Sequence, residues 1–246
     1  MTKYKILNSI FENIKVLIFA VLIAVFIRSL FFQPFYIPSS SMEPTLLIGD
    51  RIFVSKFSYG YSKHSFPFSP NLFKGRILNS YPKQGDLVVF KTPADNRTDY
   101  IKRLIGLPGD TIQFIEGEIF INDKKILRKK IPNSIKIRCG SINFETYSYK
   151  ETLPNGISYT AAYKKKGTIK NTDLYKVPDD YFFFLGDNRD CSKDSRYLSS
   201  VGYVKNENLV GKAKLIFFSN DTIKSSMLAF WNLNKSFRFN RFFKRL

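Results

Sequence analysis

Residues 16–27 of this 246-residue chain form an unbroken run of twelve apolar side chains, the strongest single limit the sequence sets on its fold. Arg28 and Ser29 interrupt the run before Leu30, Phe31 and Phe32 resume it. As a helix, the seventeen residues 16–32 would span about 25 Å at 1.5 Å each, a little under the roughly 30 Å hydrocarbon core of a bilayer. Arg28 can snorkel to headgroups, and Phe31, Phe32, Phe35 and Tyr36 can form an aromatic belt. Such a run fits a buried core helix, a cleaved signal peptide or an uncleaved membrane anchor. Bulky aromatics and Arg28 stand where a cleavage site needs small residues, so the expectation is a single transmembrane helix over 14–33. Lys3, Lys5 and Lys15 lie on the N-terminal side of the apolar run, which puts residues 1–13 in the cytoplasm and 34–246 outside.

After Pro34 the pattern changes to short β-rich segments, at 51–56, 86–91, 100–105, 111–114, 118–121, 181–185 and 212–218, cut by Gly, Pro, Asn and Asp. Pro108-Gly109-Asp110 and Gly186-Asp187-Asn188 are strong turn signals. The expected fold is mainly β, an antiparallel-sheet domain on a single anchor helix. Residues 121–176 have looser periodicity and read as an inserted, smaller β-rich subdomain.

The net charge of +19 is unevenly placed. Residues 121–176 carry 13 Lys/Arg against 4 Asp/Glu, and 225–246 carry 5 against none. Solvated basic loops account for this, and contact with anionic lipid is the sharper alternative. At the C-terminus, Phe239, Phe242, Phe243 and Leu246 follow helical spacing, which suits a short basic amphipathic helix on a membrane or a frayed terminus. Cys139 and Cys191 have neither metal-site spacing nor a CxxC pattern, and leave one disulfide open.

Two segments carry possible chemistry. Pro38 to Thr45 presents Ser39, Ser40 and Ser41 in a loop stiffened by two prolines. In the strand at 100–105, Lys102 shares a face with Tyr100 and Leu104, and such neighbours desolvate an ammonium. A serine needs a base, and the single histidine, His64, reads as a surface residue with nothing to orient it. A lysine serves only when neutral, and lowering its pKa by about two units costs roughly 2.7 kcal/mol.

The motifs S-x-S-M-x-P-T (39–45), Y-I-K-R-x-x-G-x-P-G-D (100–110) and G-D-N-R-D-x-S-x-D-S-R (186–196) occur in this order. With segments 31–60, 84–93 and 201–219, the chain resembles the bacterial type I signal peptidases (leader peptidases), which use a Ser-Lys dyad. The resemblance implies that Ser41 is the nucleophile and Lys102 the general base. The Ser41 amide and the Ser39 hydroxyl would form the oxyanion hole, and Ser192 would orient the lysine. Asp187, Arg189, Asp194 and Arg196 would be supporting ion-pair residues, with Arg103 as partner of Asp187. Phe35, Ile37, Met42, Leu46, Tyr100 and Ile101 would line the pockets for small substrate residues. Ser40 stands where many members have Gly, and Cys191 where Asn is frequent. A disulfide to Cys139 would constrain the loop beside Ser192, which argues against one.

The implied function is cleavage of N-terminal signal peptides from exported preproteins, without metal or cofactor. The enzyme would sit in the bacterial cytoplasmic membrane with its catalytic domain on the outer face. Its partners would be preproteins and the bilayer, and not nucleic acid. A self-cleaving Ser-Lys repressor would need a DNA-binding domain where the apolar run lies. A basic nucleic-acid-binding protein would show a binding motif, and none is present. Intact Ser41, Lys102 and Ser192 argue against a catalytically dead binding protein.

Overall fold

The computed structural model describes residues 2–71, 73–140, 142–221 and 236–246. Helix α1 runs from Thr2 to Leu30. Its apolar span Asn8–Leu30 has a mean hydropathy of 2.4 and is exposed along its length until Ser29, which is buried where the helix meets the β domain. Leu17, Phe19 and Leu22 are all exposed. An apolar helix with no protein partner is not a core helix, which removes that alternative. The helix starts well before residue 14 and stops at Leu30, so Phe31 and Phe32 lie beyond it. The Tyr61 hydroxyl donates to the Leu30 carbonyl at 2.9 Å, and the Lys56 amide to the Phe31 carbonyl at 2.9 Å. These bonds fasten the end of the helix to the β domain.

Strands β1 (Phe32–Tyr36), β2 (Asp50–Ser55), β3 (Leu87–Lys91) and β4 (Asp99–Gly106) belong to one antiparallel sheet. It is completed by β12 (Tyr181–Leu185), β13 (Val204–Lys205), β14 (Leu209–Ser219) and β15 (Lys244–Arg245), in the order β1-β2-β14-β3-β4-β12-β13 with β15 on β14. Alternation places successive residues on opposite faces. Val88 and Phe90 join one core with Leu104, Phe182 and Phe184. Leu87 and Val89 join another with Ile37, Met42, Leu46, Ile52 and Val54. Phe183 and Leu185 enter a third with Ile112, Phe114 and Ile119. A sheet buried on both faces has near-continuous apolar strands, and 181–185 reads that way.

A second sheet, in the order β11-β5-β6-β7, holds β5 (Thr111–Ile115), β6 (Glu118–Ile121), β7 (Lys124–Lys125) and β11 (Tyr175–Lys176). The basic stretch is more regular than its sequence suggests. β8 (Leu127–Cys139), β9 (Ile142–Thr152) and β10 (Ser158–Lys164) form a three-stranded antiparallel sheet. Its buried positions include Thr146, Ser148 and Glu151, so no apolar alternation marks them.

The tail differs from expectation. Of the basic segment 225–246, residues 225–235 lie outside the described residues. The rest forms a single 3-10 turn, Phe239–Arg241, followed by β15, and not an amphipathic helix. Tertiary contacts override the helical spacing. Arg241 bonds both oxygens of buried Asp50, Phe237 and Phe242 pack on Phe218, and Leu246 rests against the core under β2.

Candidate active site

The loop after β1 holds Ser39 to Thr45, and β4 presents Lys102 toward it. Lys102 Nζ lies 2.6 Å from Ser41 Oγ and donates to the Ile101 carbonyl at 3.1 Å. Both side chains are buried. Burial pulls the Lys102 pKa from its ordinary value down to about 8, against the opposing pull of Asp194 and Asp187. The Tyr100 ring sits 5.3 Å from the amine. Ser39 is exposed, with its Oγ 3.4 Å from Ser41 Oγ. Among the described residues, the Ser41 amide donates to no carbonyl.

A cavity of about 420 Å³ opens at this pair. Of the expected pocket residues, Phe35, Ile37, Met42, Tyr100 and Ile101 line it. Leu46 does not; it is fully buried in the core beneath, beside Met42. Asp99, expected beside the substrate strand, lines it too, as do Tyr36, Ile52, Val89, Thr98 and Lys193, which motif reading did not place there. β12 pairs with β4 only from Arg103 onward, so the β4 backbone from Asp99 to Lys102 is unpaired on the cavity side. β1 is the edge strand of its sheet.

The loop after β12 supports both segments. Asp187 accepts from Arg103 at 2.8 and 2.7 Å and from the Thr45 hydroxyl at 2.5 Å. Arg189 pairs with Glu151 at 2.9 Å and donates to the Tyr163 and Tyr159 hydroxyls. Asp194 pairs with Arg196 at 2.8 Å and accepts the Gly186 amide at 3.0 Å. Burial opposes ionisation of Asp194, but Arg196 and these hydrogen bonds outweigh it and hold the pKa below the usual carboxylate range.

Sequence reading missed Asn188, whose amide donates to the Ser41 carbonyl and whose side-chain amide donates to the Ser40 carbonyl, both at 3.1 Å. It stands between two residues that were identified, and that contiguity was the available signal. It also missed Glu151, which has no motif around it. Gly186 is required by close approach: a Cβ there would sit 2.1 Å from Ser192 Oγ and 2.5 Å from the Ser41 carbonyl oxygen.

Ser192 is buried beside Gly186, and its hydroxyl makes no hydrogen bond to Lys102. Cys191 is disulfide-bonded to Cys139, with Cα atoms 5.6 Å apart, which overturns the argument against that pair. The bond ties the end of β8 to the loop, so the constraint belongs to the site's architecture. His64 is also a correction. It is buried, not on the surface, because a 3-10 turn capped by Ser62 folds it inward. Burial lowers its pKa to about 4, with Lys63 and Lys91 adding to the shift, and it lines a different cavity.

The profile of the family described as signal peptidase, peptidase S26, matches residues 10–218. The chain belongs to this family. It is a serine peptidase, and so a hydrolase. Signal peptidase I of Rickettsia typhi is 47% identical over 212 residues, covering 82% of this chain and 77% of the relative. Signal peptidase I of Rickettsia canadensis is 45% identical over 247 residues, covering 93% and 90%. A crystal structure of a signal peptidase I from Enterococcus faecalis is 27% identical, covering 54% of this chain and 97% of that one, with a TM-score of 0.33.

Proposed function

We propose that this peptidase is a membrane-bound endopeptidase that removes signal peptides from exported preproteins through a Ser41–Lys102 dyad. The observation that carries the reading is the 2.6 Å contact between Lys102 Nζ and Ser41 Oγ at one end of an apolar cavity. With its pKa near 8, an appreciable share of Lys102 is neutral at physiological pH and can take the serine proton.

The preprotein lies as an extended strand between residues 37–39 and the unpaired half of β4, adding main-chain hydrogen bonds. Ser41 Oγ attacks the scissile carbonyl while Lys102 takes its proton. The Ser41 amide and the Ser39 hydroxyl stabilise the oxyanion. Lys102 returns the proton to the leaving amine, and the signal peptide remains as an ester on Ser41. Water, deprotonated by Lys102, then hydrolyses the ester. The Ser192 hydroxyl makes no bond to Lys102, and the amine is held by Ser41 Oγ and the Ile101 carbonyl. Asp187, Arg189, Asp194 and Arg196 hold the two segments in register. Phe35, Ile37, Met42, Tyr100 and Ile101 shape the pockets for small side chains.

The apolar stretch of α1, which no other part of the described protein covers, supports the anchoring. Helix α1 crosses the cytoplasmic membrane once within its apolar span, which ends at Leu30 and not at residue 33 because Phe32 and Gln33 already pair with β2. The N-terminus stays in the cytoplasm, and the chain from β1 onward forms the extracytoplasmic peptidase domain with its insertion at 121–176. The test is incubation of the purified full chain with a secretory preprotein, followed by mass analysis of both products. One cut at the end of the signal peptide, after a small residue, is expected. An uncut preprotein, or cuts scattered along the mature part, would contradict the reading.

A further inference from the structure

A second cavity of about 360 Å³ lies beside the first, on the side where α1 enters the β domain. Arg28, Lys56, Lys91 and Arg97 line it, with Asp99 the one carboxylate among the described residues there. Lys91 already pairs with Asp99 at 2.9 Å. Three cations are left without a carboxylate of their own in the cavity.

Two buried groups lack what an anion would supply. Lys56 is 2% exposed, yet its ammonium meets only the His64 and Ser65 carbonyls, at 3.4 and 3.1 Å. Among the described residues no carboxylate forms an ion pair with it. Asp99, already paired with Lys91, attracts this ammonium only from beyond ion-pair distance, and a buried ammonium without a direct partner is costly. His64 is 4% exposed, with Nδ1 3.0 Å from Ser69 Oγ and Nε2 without a partner. When the Ser69 hydroxyl donates to Nδ1, the ring proton sits on Nε2, which then needs an acceptor. Cations and an orphaned N–H around one cavity make a receptor for phosphate oxygens.

The position identifies the source. Arg28 is in the last turn of α1, the part of the helix that meets the headgroups if α1 is an anchor. Phe31, Phe32, Phe57 and Phe68 are exposed nearby in the chain, and Phe68 borders the cavity itself. Exposed aromatics next to a cluster of cations suit the boundary between acyl chains and headgroups.

We propose that this second cavity binds the phosphate of an anionic phospholipid headgroup and so seats the β domain on the membrane. The inference rests on the membrane-anchor reading, not on the peptidase chemistry. In micelles the cavity can be read even if α1 never crosses a bilayer.

The experiment is calorimetric titration of the full chain, in an uncharged detergent, with short-chain phosphatidylglycerol, short-chain phosphatidylcholine and inorganic phosphate. Phosphatidylglycerol should bind, and Lys56→Met or Arg97→Gln should weaken it about tenfold or more, the size expected for one lost charge-assisted bond. Arg97 is exposed, so its variant folds even if Lys56→Met does not. Lys214→Gln, at an exposed position on β14 outside the cavity, should leave binding unchanged. Equal binding by wild type and Arg97→Gln, or equal binding of phosphatidylcholine, would overturn the proposal. Inorganic phosphate binding as tightly as the lipid would assign the site to the free anion and overturn the lipid source.

Discussion

Glu151 on β9 and Arg189 in the loop after β12 form an ion pair at 2.9 Å from which solvent is wholly excluded. The pair joins the basic three-stranded sheet to the loop that contacts Ser40 and Ser41. Removing one partner of a buried pair costs about 3–5 kcal/mol, because the other charge stays buried. Glu151→Gln is expected to lower unfolding stability by about that amount, read as a shifted denaturation midpoint at unchanged slope. An unmoved midpoint would mean that the pair bears no load.

The disulfide makes the same connection covalently. A cross-link closing a loop of 52 residues removes chain entropy worth about 4 kcal/mol from the unfolded state. Cys139→Ser is expected to lose about 2–4 kcal/mol of stability and raise KM more than it lowers kcat. Reductant should reproduce both effects in the wild type and neither in the variant. Identical melting with and without reductant would contradict this.

Gly186 tests how closely the support loop must approach the nucleophile. With a Cβ at 2.1 Å from Ser192 Oγ and 2.5 Å from the Ser41 carbonyl, Gly186→Ala must displace one of them. A misplacement of about 1 Å costs on the order of a hundredfold in rate. Activity should fall by about that factor while circular dichroism keeps its β signature. Full activity would show that the loop tolerates the shift.

Lys102 sets the pH dependence. Its folded pKa of about 8 lies below that of an unfolded lysine. The rate, kcat/KM, should therefore rise as pH passes through about 8 and level off above it. Linkage gives the matching stability sign. Between the folded and unfolded pKa values the unfolded chain binds more protons, so the wild type gains stability with rising pH. Lys102→Met lacks that gain and should be the more stable protein at pH 7, by roughly 3 kcal/mol at most. A profile rising only near pH 10 would remove the desolvated base.

Much of the fold is written in local pattern. Segments such as 51–56 and 181–185 are rich in β-branched and aromatic residues and bounded by turn residues, and they appear as β2 and β12. β9 was illegible because its inward positions are filled by Thr146, Ser148 and Glu151, whose burial depends on partners far away in sequence. The tail was misread for a related reason: its helical spacing is real, but the Arg241–Asp50 pair and the Phe218 contacts decide its conformation. His64 looked exposed because the Ser62–Ser65 capping box that turns it inward has Ser where Glu or Gln usually stands, and so reads weakly in sequence. At the site, Ser41, Lys102 and the Arg103–Asp187 pair were legible from motifs. Asn188 and Glu151 act through contacts, and a spacing rule does not record those.

The pairing of Ser41 with Lys102 is tested most directly by preprotein cleavage with Ser41→Ala, Lys102→Met and His64→Phe variants at matched folding. The first two should abolish cleavage, while the third should keep it within a few fold. Cleavage surviving in Lys102→Met, or abolished in His64→Phe, would contradict it.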